Sequence, residues 1–263
     1  MNIIVCIKQV PGTSQVEIDP VTGTLKRDGA AAKINPYDLY ALETALRLKE
    51  ACGGRVTAVT MGPPQAEAMM KEAFMMGADE AYVFTDRTFA GADVLATSYT
   101  LAEGIRSVCP EYDIIICGKQ TTDGDTAQVG PSMASWLNIP CAAWVSEIGE
   151  ASAASVTVGQ DFVNVRQTAK IGLPCVLTVE KDIYTPRLPS YRLKEQSKDK
   201  QVQMVTFAQF KDQDASHYGL KGSATSVERI FPPETHSGQV FLEGSAQEIS
   251  AQLTDLFRQR KYI

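Results

Sequence analysis

The stretch Ile114–Leu137, IIICGKQTTDGDTAQVGPSMASWL, begins as a short apolar run and ends in a predicted helix. A β-branched run bounded by glycine is typical of a fully buried strand. The turn between the two elements is rich in threonine, aspartate and glycine, and is more polar than a simple connection requires. The stretch therefore predicts a strand, a specialised polar turn and a helix in succession.

The same alternation of strands and helices fills the first half of the chain. Strands are predicted in NIIVCIKQV, RVTAVTM, EAYVFTD and YDIIICG, and helices in NPYDLYALETALRLKEACGG, GPPQAEAMMKEAFMMG, DVLATSYTLAEGIRSV and TAQVGPSMASWLN. In the first helix, Asn35 is the predicted N-cap, Pro36 takes the first helical position and Gly53 ends the helix. Strands that alternate with helices build βαβ units, so the predicted fold class is α/β with a mostly parallel sheet.

The second half of the chain has a different pattern. Shorter, partly antiparallel strands are predicted in AAWVSEIG, ASVTVG, FVNVRQTAK and PCVLTVEK, and the charged, proline-containing segment YTPRLPSYRLKEQSKDKQ is predicted to be a loop. Near the start of the chain, VEIDPVTGTLKRDG is predicted to be a small hairpin or extended excursion. The terminal segment SAQEISAQLTDLFRQRKY predicts an amphipathic helix with Ile249, Leu253 and Leu256 on one face. The long extended segment before that helix predicts an arm that lies on another subunit.

Composition excludes several classes of function. The 263 residues carry a net charge of −6, which argues against nucleic acid or an anionic membrane as the main partner. The first residues lack the features of a signal peptide, and no apolar run is long enough to span a membrane. The six cysteines include no C-x-x-C pair, so buried thiols in a reducing cytoplasm are expected, with no metal site.

Residues for acid–base or nucleophilic catalysis are not found at the predicted site. His217 and His236 lie in the polar C-terminal part, away from the strand ends, and are expected to be solvated. GPSMA, which faintly resembles a nucleophile elbow, falls inside a predicted helix. No G-x-G-x-x-G or Walker A motif follows a strand, so a dinucleotide would not bind in the usual Rossmann manner.

A parallel sheet binds ligands beyond the carboxyl ends of its strands. These ends are predicted at Lys8–Gly12, Met61–Pro64, Asp86–Asp93 and Gly118–Gly124. At the last of them a helix is predicted to begin near Thr126, with Asp125 as its N-cap. Its unpaired first-turn N–H groups and positive dipole end would suit a phosphate.

The backbone donors of this predicted phosphate site are Thr126, Ala127, Gln128 and Val129, with Gly124 allowing close approach and Thr121, Thr126 and Gln128 adding side chains. The pattern alone leaves open an ordinary capped helix with a polar turn. At the second exit, Gly62 and two prolines precede another helix. Taken alone, that exit favours a proline-initiated helix with no ligand.

Taken together, these segments resemble the beta subunit of electron transfer flavoprotein (ETF) over nearly the whole chain. The resemblance is carried by the first strand with Lys8, by INPYD, VTMGPPQA, AFMMGAD, GKQTTDGDTAQVGP and PRLPSY, and by the late VERIFPPE. It implies a doubly wound, mostly parallel α/β domain at 1–222 that pairs with a larger alpha subunit. Residues 223–263 would be an arm and helix packing on that subunit.

The resemblance also implies which residues bind the nucleotide. They are Cys6, Lys8, Asn35, Asp38, Met61, Gly62, Gly118, Thr121, Asp123, Gly124, Asp125, Thr126, Ala127, Gln128, Val129, Gly130 and Pro131. The loop RTFAGADVLATS would add Phe89, Gly91, Asp93 and Thr97, with Phe89 to Asp93 facing the flavin or the incoming NADH. Without the resemblance, this segment could equally be a surface loop.

Two branches of the family differ in the bound nucleotide. Respiratory members hold AMP in the beta subunit and act as plain electron shuttles, whereas bifurcating members of anaerobes hold a second FAD that meets NADH. DGDTAQVGP, DRTFAGADVLATSYT and VERIFPPE resemble the bifurcating branch, although NPYDLYALE departs from other members after its proline. A third hypothesis is an adenine-nucleotide-binding regulatory module without redox function.

The implied partners follow from the bifurcating branch. The FAD would exchange a hydride with NAD(H), and its electrons would pass to ferredoxin and to the alpha-subunit FAD, or return by the reverse route. The alpha-subunit FAD would serve an acyl-CoA or 2-hydroxy-acid dehydrogenase. The loop at about 185–200 resembles the family's recognition loop, with Pro189, Tyr191 and Leu193 as its partner-binding residues.

Overall fold

The computed structural model describes residues 1–12, 32–228 and 240–263. They fall into two units, Met1–Glu228 and Arg229–Ile263. The strands are β1 Asn2–Cys6, β2 Gln9–Pro11, β3 Ala32–Ile34, β4 Arg55–Met61, β5 Glu80–Phe84, β6 Ile114–Gly118, β7 Cys141–Ala151, β8 Ser155–Phe162, β9 Val165–Gly172, β10 Cys175–Val179 and β11 Gln203–Val205. The α-helices are α1 Pro36–Cys52, α2 Glu67–Met76, α3 Val94–Val108, α4 Val129–Leu137, α5 Tyr191–Gln196, α6 Gly219–Gly222 and α7 Ala246–Gln259.

A nine-stranded sheet organises the first unit, in the order β11-β5-β4-β1-β6-β10-β7-β8-β9. The seven strands from β11 to β7 are parallel, and β8 and β9 extend the sheet as an antiparallel ribbon. The chain builds outward from β1 through β4 to β5, and then from β6 to β10 on the other side. This doubly wound, mostly parallel arrangement confirms the predicted fold class.

Helices cover both faces of the sheet. Buried residues of α1 and α2, including Leu42 and Met70, join one apolar core, and those of α3 and α4, including Ile105 and Met133, join the other. The central strands are buried on both sides because β-branched residues alternate between the two cores: Ile116 joins one core and Ile115 joins the other. Each buried aliphatic side chain contributes roughly 1.5–3 kcal/mol relative to exposure.

Several element boundaries agree with the predictions from sequence. Pro36 begins α1, Asn35 occupies its N-cap position and Gly53 ends it with a positive φ of 70°. GPSMA lies inside α4, as predicted. α7 forms with Ser245 at its N-cap and a reciprocal capping box with Glu248.

Two predictions about elements were wrong, and one strand was missed. α4 begins at Val129 rather than near Thr126. The segment predicted to be a loop contains the short helix α5, and β11 was not anticipated because its three residues are too few to establish a period. The predicted hairpin VEIDPVTGTLKRDG and residues 229–239 of the predicted arm, with His236, lie outside the described residues.

Candidate functional site

The crevice between β1 and β6 is the point where the strand order reverses. Cys6 and Cys117 occupy paired positions at the carboxyl ends of these two strands. A hydrogen bond with Cys6, together with burial, raises the pKa of the Cys117 thiol, so the Cys117 sulfur is a protonated part of the floor of the crevice. In open α/β sheets the ligand crevice lies beyond such a reversal.

Asp38, in the first turn of α1, joins the ends of the two strands. Its Oδ2 accepts the Lys8 N–H at 2.8 Å, and its Oδ1 accepts the Gly118 N–H at 3.2 Å. Burial raises the pKa of this carboxyl to about 7, even though both hydrogen bonds favour the ionised form. A Cβ at Gly118 would lie 2.4 Å from Asp38 Oδ1 and 2.6 Å from the Tyr37 carbonyl carbon, so only glycine allows this approach.

Asn35 holds the turn that follows β6. It is fully buried, its Nδ2 donates to the Gln120 carbonyl at 2.9 Å, and its Oδ1 accepts the Thr122 N–H at 3.2 Å. Its backbone N–H donates to the Lys8 carbonyl at 2.9 Å. Asn35 is therefore at the N-cap position of α1, but its side chain makes no capping hydrogen bond and fixes the opposite wall of the crevice instead.

Lys8 and Asp123 close one side of the crevice. The Lys8 ammonium lies 2.8 Å from both carboxylate oxygens of Asp123. Burial raises the pKa of Asp123, but the hydrogen bond and charge of Lys8 outweigh it, and the pKa lies below its usual value. The two side chains remain about half and one-quarter exposed. An anionic ligand in the crevice would compete with Asp123 for the same cation.

The turn between β6 and α4 has a backbone unlike the predicted capped helix. Asp125 and Ala127 have left-handed φ values of 51° and 54°. Such residues cannot continue a right-handed helix, which is why α4 begins only at Val129 with Gln128 at its N-cap position. Asp125 is not the N-cap: it accepts a hydrogen bond from the Gln120 side-chain amide, and its own N–H donates to the Thr121 carbonyl.

Backbone donors remain available in this turn. Within the described part of the chain, the N–H groups of Gly124, Thr126 and Ala127 donate no hydrogen bond. Gly124 and Thr126 are exposed and Ala127 is partly exposed. Successive free N–H groups beside left-handed residues form a concave anion-binding backbone. The arrangement can therefore hold a phosphate, by a loop rather than by the predicted helix terminus.

α4 sits close to the sheet beside this turn. A Cβ on Gly130 would lie 2.5 Å from the Thr178 methyl group of β10, so glycine allows the close approach. Val129, Gly130 and Pro131 thus form the first turn of α4, against the strand next to β6.

Lys119, which the sequence did not single out, pairs with Glu180 at 2.6 Å and stands 4.3 Å above the Trp144 ring. Lys119 directly follows Gly118 at a predicted strand end, and this position could have identified it as a candidate site residue.

Met61 and Gly62 lie at the carboxyl end of β4, beside β1. The Gly62 N–H donates to the Phe84 carbonyl at 3.1 Å, and a short 3-10 turn at Pro64–Ala66 separates it from α2. Both residues are partly exposed at the same edge of the sheet as Cys6. Their place in a nucleotide site stays a prediction.

The loop after β5 was expected to face the flavin or the incoming NADH, but one of its residues points elsewhere. Phe89 is buried, with its ring 5.0 Å from Phe210 and 5.6 Å from Tyr218. Its side chain therefore does not face a ligand at the sheet edge, which corrects that expectation. The sequence could not show this, because the aromatic partners come from a distant segment.

Asp93 and its neighbours serve local structure in this loop. Asp93 caps α3 through Ala96 N–H at 3.1 Å, and its other oxygen accepts Thr225 N–H at 2.9 Å. Gly91 has φ 75° and packs against Leu220. The Thr97 N–H donates to the Asp93 carbonyl at 2.9 Å, in the first turn of α3. The loop is thus fastened to the segment around residues 207–225, and its contact with NADH stays a prediction.

The segment predicted to recognise a partner is strongly exposed. Tyr191 has 76% of its surface exposed, and Leu188, which the sequence did not single out, has 85%. Pro189 is exposed and Leu193 is partly buried. The two prominent apolar side chains are therefore Leu188 and Tyr191.

His217 is distant in sequence from the crevice residues, and its side-chain contacts are with residues outside the crevice. It is half exposed, and its Nδ1 lies 2.6 Å from Asp212, which also accepts the Tyr99 hydroxyl at 2.6 Å. Across residues 1–12, 32–228 and 240–263, no cluster of histidine, cysteine and carboxylate groups is suited to hold a metal. None of the helices in those ranges is long and apolar enough to cross a membrane.

The fold and the crevice define a doubly wound α/β protein with a polar, backbone-lined site at its strand reversal. The model of the electron transfer flavoprotein domain matches residues 22–210. The chain is 42% identical over 263 residues to the electron transfer flavoprotein subunit beta of Clostridium acetobutylicum, covering 100% of both chains. It is 39% identical over 267 residues to subunit CarD of the caffeyl-CoA reductase-Etf complex of Acetobacterium woodii, again covering 100% of both.

A further relative, the electron transfer flavoprotein subunit beta of Megasphaera elsdenii, is 41% identical over 249 residues, with 92% of each chain covered. The chain belongs to the electron transfer flavoprotein family, and its relatives place it among the beta subunits. Membership implies a flavin or adenine nucleotide and an alpha-subunit partner.

Proposed function

We propose that the chain is the beta subunit of an electron-bifurcating or confurcating electron transfer flavoprotein that holds FAD at the crevice between β1 and β6. The observation that carries the nucleotide site in this proposal is the turn after β6. It combines free backbone N–H groups at Gly124, Thr126 and Ala127 with a nearby exposed cation, Lys8. These groups suit a pyrophosphate, which carries negative charge and needs several donors.

The residues around the crevice have separable tasks in this proposal. The turn would bind the pyrophosphate, and Lys8 would offset its charge. Asn35 and Asp38 would position the turn and the two strand ends, because each polar atom of their side chains is already hydrogen-bonded within the protein. Met61 and Gly62 would line the neighbouring exit.

Bound FAD would supply hydride exchange with NAD(H) and single-electron exchange with ferredoxin and the alpha-subunit FAD. The chain contributes the binding, orientation and electrostatics of that cofactor. This division of labour is consistent with a crevice built from backbone donors, one cation and positioning side chains, rather than from a general base or nucleophile.

Support for the bifurcating branch comes from the motifs DGDTAQVGP and DRTFAGADVLATSYT, together with relatives that include a subunit of a caffeyl-CoA reductase-Etf complex. The alternative is an electron shuttle that holds AMP in the same crevice. Both nucleotides carry phosphate, so the turn alone suits either one. The proposed location is the cytoplasm.

The proposed partners are the alpha subunit, ferredoxin and an acyl-CoA or 2-hydroxy-acid dehydrogenase. The exposed pair Leu188 and Tyr191 would dock the dehydrogenase, with Pro189 stiffening the segment between them. The segment 223–263 would pack on the alpha subunit. The amphipathic α7 supports this, because Leu253 and Leu256 are each 40% exposed in their own unit.

The FAD released by the purified alpha–beta complex tests the proposal. Two FAD per heterodimer are expected for the bifurcating type. One FAD together with one AMP would favour the electron shuttle. No flavin at all would favour a regulatory adenine-nucleotide module.

A further inference from the structure

Arg187 fastens the exposed segment that follows it to helix α1. Its Nε donates to Glu43 Oε2 at 2.8 Å and its Nη2 to Glu43 Oε1 at 3.2 Å, which is a two-pronged contact. The backbone N–H of Arg187 also donates to Glu43 Oε2, at 3.1 Å, and Nη1 reaches Glu50 Oε1 at 2.7 Å. One arginine thus fixes both its side chain and its main chain against the same helix.

Glu43 is built to receive this contact. Only 3% of its side chain is exposed, and Arg47 supplies a further hydrogen bond at 2.9 Å. Burial raises the pKa of Glu43, but the hydrogen bonds from Arg187 and Arg47 outweigh it and lower the pKa overall. A nearly buried carboxylate with this many charged donors remains ionised, and the pair is little screened by water.

Two further contacts hold the far side of the segment. The Ser190 N–H donates to the Met75 carbonyl at the end of α2, at 2.9 Å. The Lys200 ammonium donates to the Ala78 carbonyl at 2.9 Å and lies 5.2 Å from the Phe74 ring. Between these anchors, Leu188 and Tyr191 are among the most exposed apolar side chains of their unit.

Two prolines near Arg187 restrict the backbone, so fixing Arg187 also fixes the positions of Leu188 and Tyr191. Pro186 and Pro189 fix φ on either side of the Arg187–Leu188 pair, so few backbone conformations remain once Arg187 is held. Exposed apolar side chains do not stabilise the fold, because they remain in water. The anchors nevertheless hold this segment with its apolar side chains outward. Ordering such groups before association lowers the entropic cost of binding.

We propose that Arg187 and Glu43 are positioning residues that hold Leu188 and Tyr191 in the geometry in which the partner dehydrogenase docks. The inference rests on the proposed function, since it presumes docking at Leu188 and Tyr191. It adds that the strength of docking depends on an ion pair that does not touch the partner. A lysine cannot replace Arg187 fully, because an ammonium lacks the planar fork.

The test is steady-state electron transfer from NADH to the partner dehydrogenase through the alpha–beta complex, with oxidised ferredoxin in excess as the second electron acceptor and the dehydrogenase concentration varied. Arg187→Leu should raise the KM for the dehydrogenase about tenfold, because two side chains must then be ordered on binding. It should leave kcat and the NADH-driven reduction of the complex unchanged. Arg187→Lys should give a smaller rise in KM.

Arg166→Leu is the matched control. It removes a guanidinium of the same size from another ion pair, with Glu147, on the β7–β9 ribbon. Its KM should equal that of the wild type. Thermal unfolding of each complex checks that the variants are folded. If Arg187→Leu does not fold, the KM measured for Arg187→Lys still tests the inference.

A double-mutant cycle separates positioning from direct contact. If Arg187 acts through Tyr191, the effects of Arg187→Leu and Tyr191→Ala on KM should be clearly less than additive. Fully additive effects, or an unchanged KM in both Arg187 variants while Tyr191→Ala raises it, would overturn the inference and leave the proposed docking segment standing. An unchanged KM in Tyr191→Ala would reject the docking segment itself, and the inference with it.

Discussion

Asp38 and Gly118 lie so close together that a side chain at position 118 would collide with the Asp38 carboxyl group. Asp38 Oδ1 accepts the Gly118 N–H at 3.2 Å, and a Cβ at Gly118 would lie 2.4 Å from that same oxygen. This contact ties the start of α1 to the end of β6. The walls of the crevice are therefore set by the fold before any ligand binds.

Replacing Gly118 by alanine should destabilise the protein by about 1–3 kcal/mol, since the Tyr37 backbone cannot move aside as a flexible side chain could. Chemical denaturation of the variant measures this loss. Gly124→Ala is the matched control, because the nearest atom to a Cβ there is Thr121 Oγ1 at 3.4 Å. Equal stability of Gly118→Ala and wild type would show that the close approach does not constrain the strand end.

The raised pKa of Asp38 predicts a pH dependence of stability. Its pKa rises from 3.8 to about 7 on folding, so the folded state binds a proton that the unfolded state has released. The free energy of unfolding should therefore fall as pH rises from about 4 to about 7, by at most about 1.4 kcal/mol per pH unit, and then level off.

Asp38→Asn removes the titrating group and should flatten this slope, although it lowers stability at all pH values by losing an acceptor. His217 complicates the wild-type curve, because the hydrogen bond with Asp212 raises its pKa and its stabilisation is also lost as pH rises. The slope of the difference between wild type and Asp38→Asn isolates Asp38. A difference that does not vary with pH would contradict the raised pKa.

The crevice could be located from the sequence, because the carboxyl ends of buried strands are readable from hydrophobic runs and glycine. The backbone conformation of the turn in this crevice could not be predicted from the sequence. Asp125 and Ala127 adopt left-handed conformations, which neither residue signals as glycine would, so the sequence predicted a helix three residues too early. The free N–H groups belong to a turn held by Asn35, which lies over eighty positions away in the chain.

Long-range packing explains the other differences. Phe89 follows a strand end, where an aromatic residue looks available for a ligand, but residues 207–218 bring three aromatic rings against it. In the predicted loop, Tyr191–Gln196 forms a helix whose flanking residues are anchored to α1 and α2. These outcomes depend on which distant segments meet, and that is not encoded in local periodicity.

Asp93→Ala should lower the free energy of unfolding by about 1 kcal/mol, because it removes the N-cap of α3. It also frees Thr225 from its two hydrogen bonds. Asp93→Asn keeps a capping oxygen and should recover much of the stability. We expect slower NADH-driven reduction in Asp93→Ala, and unchanged NADH kinetics in both variants would limit Asp93 to its structural role.

Tyr191→Ala should weaken docking of the partner dehydrogenase about thirtyfold, corresponding to roughly 2 kcal/mol for a buried aromatic anchor. NADH-driven reduction should stay the same, since the crevice lies at the strand ends and Tyr191 lies beyond α2. A binding titration with the purified complex measures the affinity. Identical titration curves for the variant and the wild type would reduce the segment to a solvated linker.

The FAD content of the Gly124→Val alpha–beta complex tests the central claim most directly. The nearest atom to a Cβ at Gly124 is Thr121 Oγ1 at 3.4 Å, so the fold should tolerate valine while the turn loses room for a pyrophosphate. The account predicts two FAD per heterodimer in the wild type and one in the variant, with the alpha-subunit flavin retained. Two FAD in the folded Gly124→Val complex would show that this turn does not hold the cofactor.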